Sequence, residues 1–181
     1  MYAKILLPID GSVLSVVAVP HAQALAEAFN STVHILTVVL PPAGRSGGAF
    51  RVAAAVLGSH EIPSSAEDMD VSQHPIYKES EMASLEAEAK ARLLPVAEGM
   101  QARGIKTEVV VTFGRAASGI LRYAAEAGVE LIVMSTHGEG GPTAFAYGPT
   151  ADRVARRAAV PVLLIRPEEV TNILPLMPGL A

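Results

Sequence analysis

Leu131-Ile132-Val133-Met134-Ser135-Thr136-His137-Gly138, joined by nine residues to Gly148-Pro149-Thr150, decides the fold of this chain. Its first four residues are apolar and two are β-branched, as in a strand buried on both faces. The run stops at small residues and a glycine, crosses a glycine-rich loop and enters a helical pattern. That succession is the layout of a phosphate-binding loop. The first N–H groups of a helix have no intrahelical partner and lie at the positive end of its dipole, so an anion's oxygens satisfy them. Glycines in the loop let backbone approach a ligand closely. In a chain with 15 glycines the spacing alone carries little weight, and its setting supplies the rest.

Outward from this stretch, strands and helices alternate. Residues 3–9 form a near-continuous apolar run suited to a central parallel strand, and Asp10-Gly11-Ser12 turns the chain, with Ser12 placed to cap the next helical segment. Residues 13–30 are helical in spacing, and Pro20 is expected to kink or divide them. Strands are predicted at 33–39, 105–111, 131–134 and 162–165, and helices at 79–103, 115–127 and 150–158. Pro95 and Gly99 predict a bend or break late in the 79–103 helix, Gly104 its end, and Gly128 the end of the next. Such alternation implies βαβ units and a mainly parallel α/β sheet with right-handed crossovers. From residue 41 to 78 the pattern fails under Pro41-Pro42, Gly47-Gly48, Pro63 and Pro75, leaving room for one short helix at 49–57. An insertion this long is expected to be either disordered or a lid or partner surface. The tail, 167–181, carries Pro167, Pro175 and Pro178 and is expected to be extended.

Three segments together, the opening strand ending in Asp10, the 131–150 stretch and the closing strand Val160-Pro161-Val162-Leu163-Leu164-Ile165, resemble the universal stress protein family. The resemblance spans 1–166 apart from the insertion. The family's signature reads Gly-x2-Gly-x9-Gly-Ser/Thr. Gly138 and Gly148 match it, whereas Ser135 stands at the first glycine and Pro149 at the hydroxyl position. The resemblance implies a five-stranded open sheet of order 3-2-1-4-5 with helices on both faces, of the adenine nucleotide alpha hydrolase-like kind. It also implies that ATP or a related adenine nucleotide binds, and that subunits pair through the closing strand, Val162–Ile165.

Composition bounds the alternatives. The 181 residues suit one domain with a full core. Half the chain is hydrophobic, yet the longest uncharged stretch, 12–26, is broken by Pro20, His21 and Gln23, short of the roughly 20 apolar residues of a membrane span. The opening residues lack a signal-peptide pattern, so export is not expected and the cytoplasm is. Zero cysteines rule out disulfides and thiolate metal sites and fit a reducing compartment. A net charge of −4, no Trp and four Phe argue against a nucleic-acid surface.

With sheet order reversing between the first and fourth strands, a ligand is expected outside their carboxyl ends. The candidate site there comprises Pro8, Ile9, Asp10, Val38, Met134, Ser135, His137, Gly138, Gly148, Pro149 and Thr150. Asp10 is read either as an acceptor for ribose hydroxyls or as a turn former before Gly11. By resemblance, Ile9 and Val38 flank the adenine and Met134 contacts it; the alternative for all three is core. His137 has no matched acid or nucleophile, so hydrogen bonding or loop packing outranks acid–base work. Arg115, in a Gly114-Arg115-Ala116 turn where the family commonly has Gly-x-Pro, is read either as a phosphate contact or as a solvated loop arginine, and Arg153 and Arg157, one turn apart on one face of the last helix, either as phosphate or partner contacts or as a solvated helix face. The other histidines show no metal-ligand spacing, so no protein metal site is expected, although bound phosphates can bring Mg2+.

Three functions compete on these residues. The first is a homodimeric, nucleotide-responsive stress or regulatory protein. The second is a dimeric interaction protein of the same fold that has lost the nucleotide through Ser135 and Pro149. The third is an enzyme, for which the chain offers no Gly-x4-Gly-Lys-Ser/Thr loop, no triad and no assignable base, leaving at most slow hydrolysis of a bound nucleotide. At the closing strand, Leu164 is the position where a lysine is expected to favour monomer.

Overall fold

The run Ile5-Leu6-Leu7-Pro8 is buried throughout and makes β1 (Lys4–Pro8) the centre of the sheet. The computed structural model describes residues 1–41, 75–138 and 147–167, with side chains in the second stretch from residue 81 onward. Beside β1 lie β2 (Thr32–Val39), β3 (Lys106–Phe113), β4 (Leu131–Ser135) and β5 (Val162–Ile165), all parallel, in the order β3-β2-β1-β4-β5. The helices are α1 (Val19–Phe29), α2 (Pro75–Gln101), α3 (Ala116–Glu126) and α4 (Pro149–Arg157). This is the expected doubly covered α/β sheet. The 49–57 helix, the insertion over residues 42–74 and the tail from residue 168 lie outside the described residues.

By its internal packing the chain separates into Met1–Leu40 with Glu88–Ala181, and Pro41–Ala87. The first unit holds the sheet, α1, α3, α4 and residues 88–101 of α2. The described part of the second is residue 41 and the opening stretch of α2.

Alternation along each strand builds two cores. Ile5, Leu7, Val33, Ile35, Leu131 and Val133 pack with α1 and the 88–101 part of α2 on one face. Leu6, Leu36, Ile132 and Met134 pack with α3 and α4 on the other. The helices bury stripes at helical spacing, Val19, Ala22 and Ala26 on α1 and Ala117, Ile120 and Ala124 on α3. α3 also presses Gly119 onto β2. A Cβ there would lie 2.9 Å from Val38 Cγ1, so glycine permits the close approach.

Of the kink or division expected at Pro20, the 13–30 segment shows division: Ser15–Ala18 is a 3-10 turn, and Pro20 falls in the first turn of α1, where no N–H is needed. Pro95 and Gly99 do not break α2, which runs on to Gln101. Leu93, Val96, Ala97 and Met100 are buried at i, i+3, i+4 and i+7, and that packing outweighs the ~3 kcal/mol intrinsic cost of proline in a helix. Gly104, at φ +79°, then ends the segment in a left-handed turn, as its position predicts.

Candidate functional site

The crevice forms where β1 and β4 part. β1 sends the chain toward β2 and β4 sends it toward β5, so the loops at their carboxyl ends diverge and leave a gap between them. Ile9 keeps the opening of this gap in register with β2, its N–H donating to Leu36 O at 2.8 Å. The next residue, Asp10, is exposed and turns the chain itself. Its Oδ1 accepts hydrogen bonds from Ser12 N–H at 3.0 Å and Ser12 Oγ at 2.7 Å. Ser12 Oγ in turn accepts from Ser15 N–H at 3.1 Å; the N-cap of the 3-10 turn is Leu14, so Ser12 braces the preceding bend rather than capping the helix as its position predicts.

On the β4 side, Thr136 continues the ladder by donating its N–H to Ile165 O at 2.8 Å. Thr136 O accepts from Gly148 N–H, also at 2.8 Å, closing the loop at its neck. A Cβ on Gly148 would sit 3.2 Å from that carbonyl, so glycine fits the neck and a larger residue crowds it. Ser135, standing at the signature's first glycine, is buried and turns its hydroxyl inward to donate to His137 O. The departure from glycine therefore serves as an internal brace of the loop. His137 is 9% exposed and shares a 3.0 Å hydrogen bond between Nδ1 and Thr136 Oγ1; its Nε2 is buried without a partner.

Gly138 meets Asp10 directly. A Cβ on Gly138 would collide with Asp10 Oδ2, so the smallness of this glycine makes room for the carboxylate of the neighbouring loop. α4 then starts at Pro149, with Gly148 as an extended N-cap that offers no side-chain hydrogen bond. Pro149 has no N–H, which leaves those of Thr150 and Ala151 as the first donors of the helix.

A cavity of about 540 Å3 occupies the gap. All the candidate residues named from the sequence line it: Pro8, Ile9, Asp10 and Val38 on one side, Met134, Ser135, His137 and Gly138 along β4 and its loop, and Gly148, Pro149 and Thr150 at the helix start. Met134 and Ile9 are buried and Val38 half-buried, and each lines the cavity while also belonging to or packing against the cores. Four further contributors come from the β3–α3 turn and the start of α3: Gly114, Arg115, Ala116 and Ala117. Gly114 takes φ +132°, a conformation that favours glycine, and its N–H donates to Val39 O at 2.9 Å. Arg153 of α4 lines the cavity as well. The signal for these was the Gly114-Arg115 turn after an apolar strand; no one-dimensional pattern shows it facing α4.

The volume falls within the range of about 300–1,000 Å3 usual for small-ligand sites. An apolar wall, an exposed carboxylate and a helix start suit the base, sugar and phosphate of a nucleotide respectively. The orphaned His137 Nε2 adds a buried polar atom beside the same loop.

Away from the cavity, His34 of β2 lies under α3, its Nδ1 hydrogen-bonded to Tyr123 OH at 2.8 Å and 3.5 Å from Glu108 Oε2. Burial pushes the His34 pKa down, against the pull of Glu108 and with a smaller push from Lys4. Burial, followed by the Glu108 charge, raises that of Tyr123.

Known proteins resemble this chain in sequence and in fold. The model of the Universal stress protein family matches residues 1–166. Universal stress protein MJ0531 of Methanocaldococcus jannaschii is 28% identical over 166 residues, which cover 92% of this chain and 83% of that protein. Universal stress protein YxiE of Bacillus subtilis is 30% identical over 166 residues, covering 92% and 100%. Among solved structures, that of MJ0577 superposes with a TM-score of 0.69 at 21% identity, covering 93% of this chain and 99% of its own. A universal stress protein in complex with cAMP superposes with a TM-score of 0.58 at 22% identity, covering 92% and 98%. With its sheet, its glycine loop and its closing strand all inside the matched residues, the chain belongs to the universal stress protein family.

Proposed function

We propose that this protein is a nucleotide-responsive regulator of the stress response that binds an adenine nucleotide, ATP among them, in the cavity between β1 and β4. One observation carries the reading: Asp10, the Gly138 loop and the start of α4 border a single cavity at the point where strand order reverses. Adenine lies against Ile9, Val38 and Met134, the ribose meets Asp10, and phosphate reaches the N–H groups of Thr150 and Ala151. Mg2+ enters with the phosphates, since clustered phosphate oxygens favour that cation. The cAMP-bound family member is a precedent for an adenine nucleotide on this fold. The protein acts as a homodimer paired through β5, and a cysteine-free chain suits the cytoplasm.

The test is calorimetric titration of ATP and cAMP into protein stripped of co-purified ligand, with Asp10→Ala alongside. Loss of a hydrogen bond involving a charged group corresponds to about ten- to over a hundredfold in affinity. A folded Asp10→Ala protein that binds ATP as well as wild type removes Asp10 from the site.

Pro149 favours a second reading, a dimeric interaction protein of the same fold that holds no nucleotide. It takes from the helix start one backbone donor and the family's hydroxyl. Wild type that binds neither nucleotide in the same titration selects this reading.

A further inference from the structure

Among the described residues, the charged side chains lining the cavity are one carboxylate, Asp10, and two arginines, Arg115 and Arg153. The arginines come from different places. Arg115 is the N-cap of α3, and Arg153 lies one turn inside α4. Ala116 and Ala117, the first residues of α3, line the cavity together with Pro149, Thr150 and Ala151, the first of α4. Two helix N-termini therefore converge on one space, each delivering the positive end of its dipole and each carrying an arginine.

Among the described residues, neither arginine forms an ion pair or a side-chain hydrogen bond. Among the described residues the ion pairs of arginine are Arg103 with Glu27 and Arg156 with Asp152. Arg122 hydrogen-bonds Thr112. Asp152, the acid in the first turn of α4, is thus held by Arg156 at 2.8 Å and does not offset Arg153. Both Arg115 and Arg153 are exposed at the cavity wall, where walls of low dielectric focus the field of unpaired cations.

Pro149 gives this charge a purpose. The helix start of α4 lacks one donor, and two guanidinium groups offer five N–H donors each in a geometry suited to phosphate. We infer that Arg115 and Arg153 form a two-sided phosphate clamp that makes the cavity read the phosphate charge of its ligand, preferring nucleoside di- and triphosphates to monophosphates and cyclic nucleotides. The inference rests on the adenine-nucleotide reading above and adds the ligand class and the residues that select it.

The experiment titrates adenosine, AMP, cAMP, ADP, ATP and inorganic tripolyphosphate, without Mg2+ and at low salt, into the ligand-stripped full chain. It uses wild type, the double variant Arg115→Gln/Arg153→Gln and the charge-retaining Arg115→Lys/Arg153→Lys. Because both positions are exposed, all three proteins are expected to melt alike. Wild type should bind ATP at least about tenfold more tightly than AMP or cAMP, one charge-assisted contact being enough for that ratio. The glutamine variant should bring ATP and AMP to within about threefold, and the lysine variant should restore part of the preference. Equal affinities for ATP and AMP in wild type, or a preference that survives the glutamine variant, overturns the clamp and leaves the adenine reading standing. Tripolyphosphate binding to wild type and not to the glutamine variant, with no affinity for any adenine compound, supports the clamp and overturns the adenine reading. No binding of any of these compounds overturns both.

Discussion

Gly138 has no room for a side chain because Asp10 fills the space, although the two residues are 128 positions apart. From the sequence, glycine at this point signals a backbone that a ligand approaches; in the fold, it also signals a neighbouring carboxylate. Gly138→Ala tests the distinction. The group in the way is an exposed carboxylate held through Oδ1 by Ser12, so the substitution should cost about 0.5–3 kcal/mol of stability while pushing the carboxylate aside. Nucleotide affinity should then fall about tenfold or more, as in Asp10→Ala. A protein that loses much stability and no affinity reverses the assignment. His34 supplies a second residue-scale prediction. Its folded pKa lies below the value of about 6.5 of an exposed histidine, so the unfolded chain takes up the proton first as pH falls. Stability is therefore full above pH ~6.5 and declines below it, by up to about 1.4 kcal/mol per pH unit, until the folded pKa is reached. Chemical denaturation across pH 5–8 should show a shallower acid slope in His34→Gln, and an identical slope excludes His34 as the cause.

At the scale of elements, the start of α4 is where local and functional requirements conflict. Proline at the first helical position is favourable for the helix, since its φ is already set and its N–H would go unused. For a bound phosphate the same residue subtracts a donor. Pro149→Ser returns both an N–H and a hydroxyl, and two neutral hydrogen bonds at roughly 0.5–1.5 kcal/mol each predict ATP binding tighter by about fivefold to over a hundredfold. Calorimetry giving equal affinities for wild type and variant shows that this position does not control the phosphate site. The periodic stripes of α1 and α3 were legible in the sequence because burial on one face repeats locally. The continuity of α2 through Pro95 was not, since the packing of Leu93, Val96 and Met100 against the sheet decides it.

For the whole molecule, the sheet order makes β5 an edge strand among the described residues, which suits pairing with a second copy. The fold also changes which residue tests this. Leu164 packs against the α3 and α4 core, so a lysine there damages the subunit itself, whereas Leu163 is 38% exposed on the same strand. Leu163→Lys should convert a dimer into a folded monomer in sedimentation at micromolar concentration. Wild type sedimenting as a monomer sinks the proposed dimer. The chain's resemblance to the family pointed to the sheet order and to the residues that border the crevice; by itself the sequence determined the strands, the helices and the parallel α/β class. These follow from apolar runs, helical spacing and turn residues, all of which act between neighbours in the chain. Only the tertiary structure decided that Gly138 houses a carboxylate, that Ser135 braces its own loop, that Leu163 rather than Leu164 faces outward, and that Arg115 and Arg153 share one cavity. The last of these depends on how far apart the helices rest on the sheet, a distance set by side chains remote in sequence interlocking at the density of a solid.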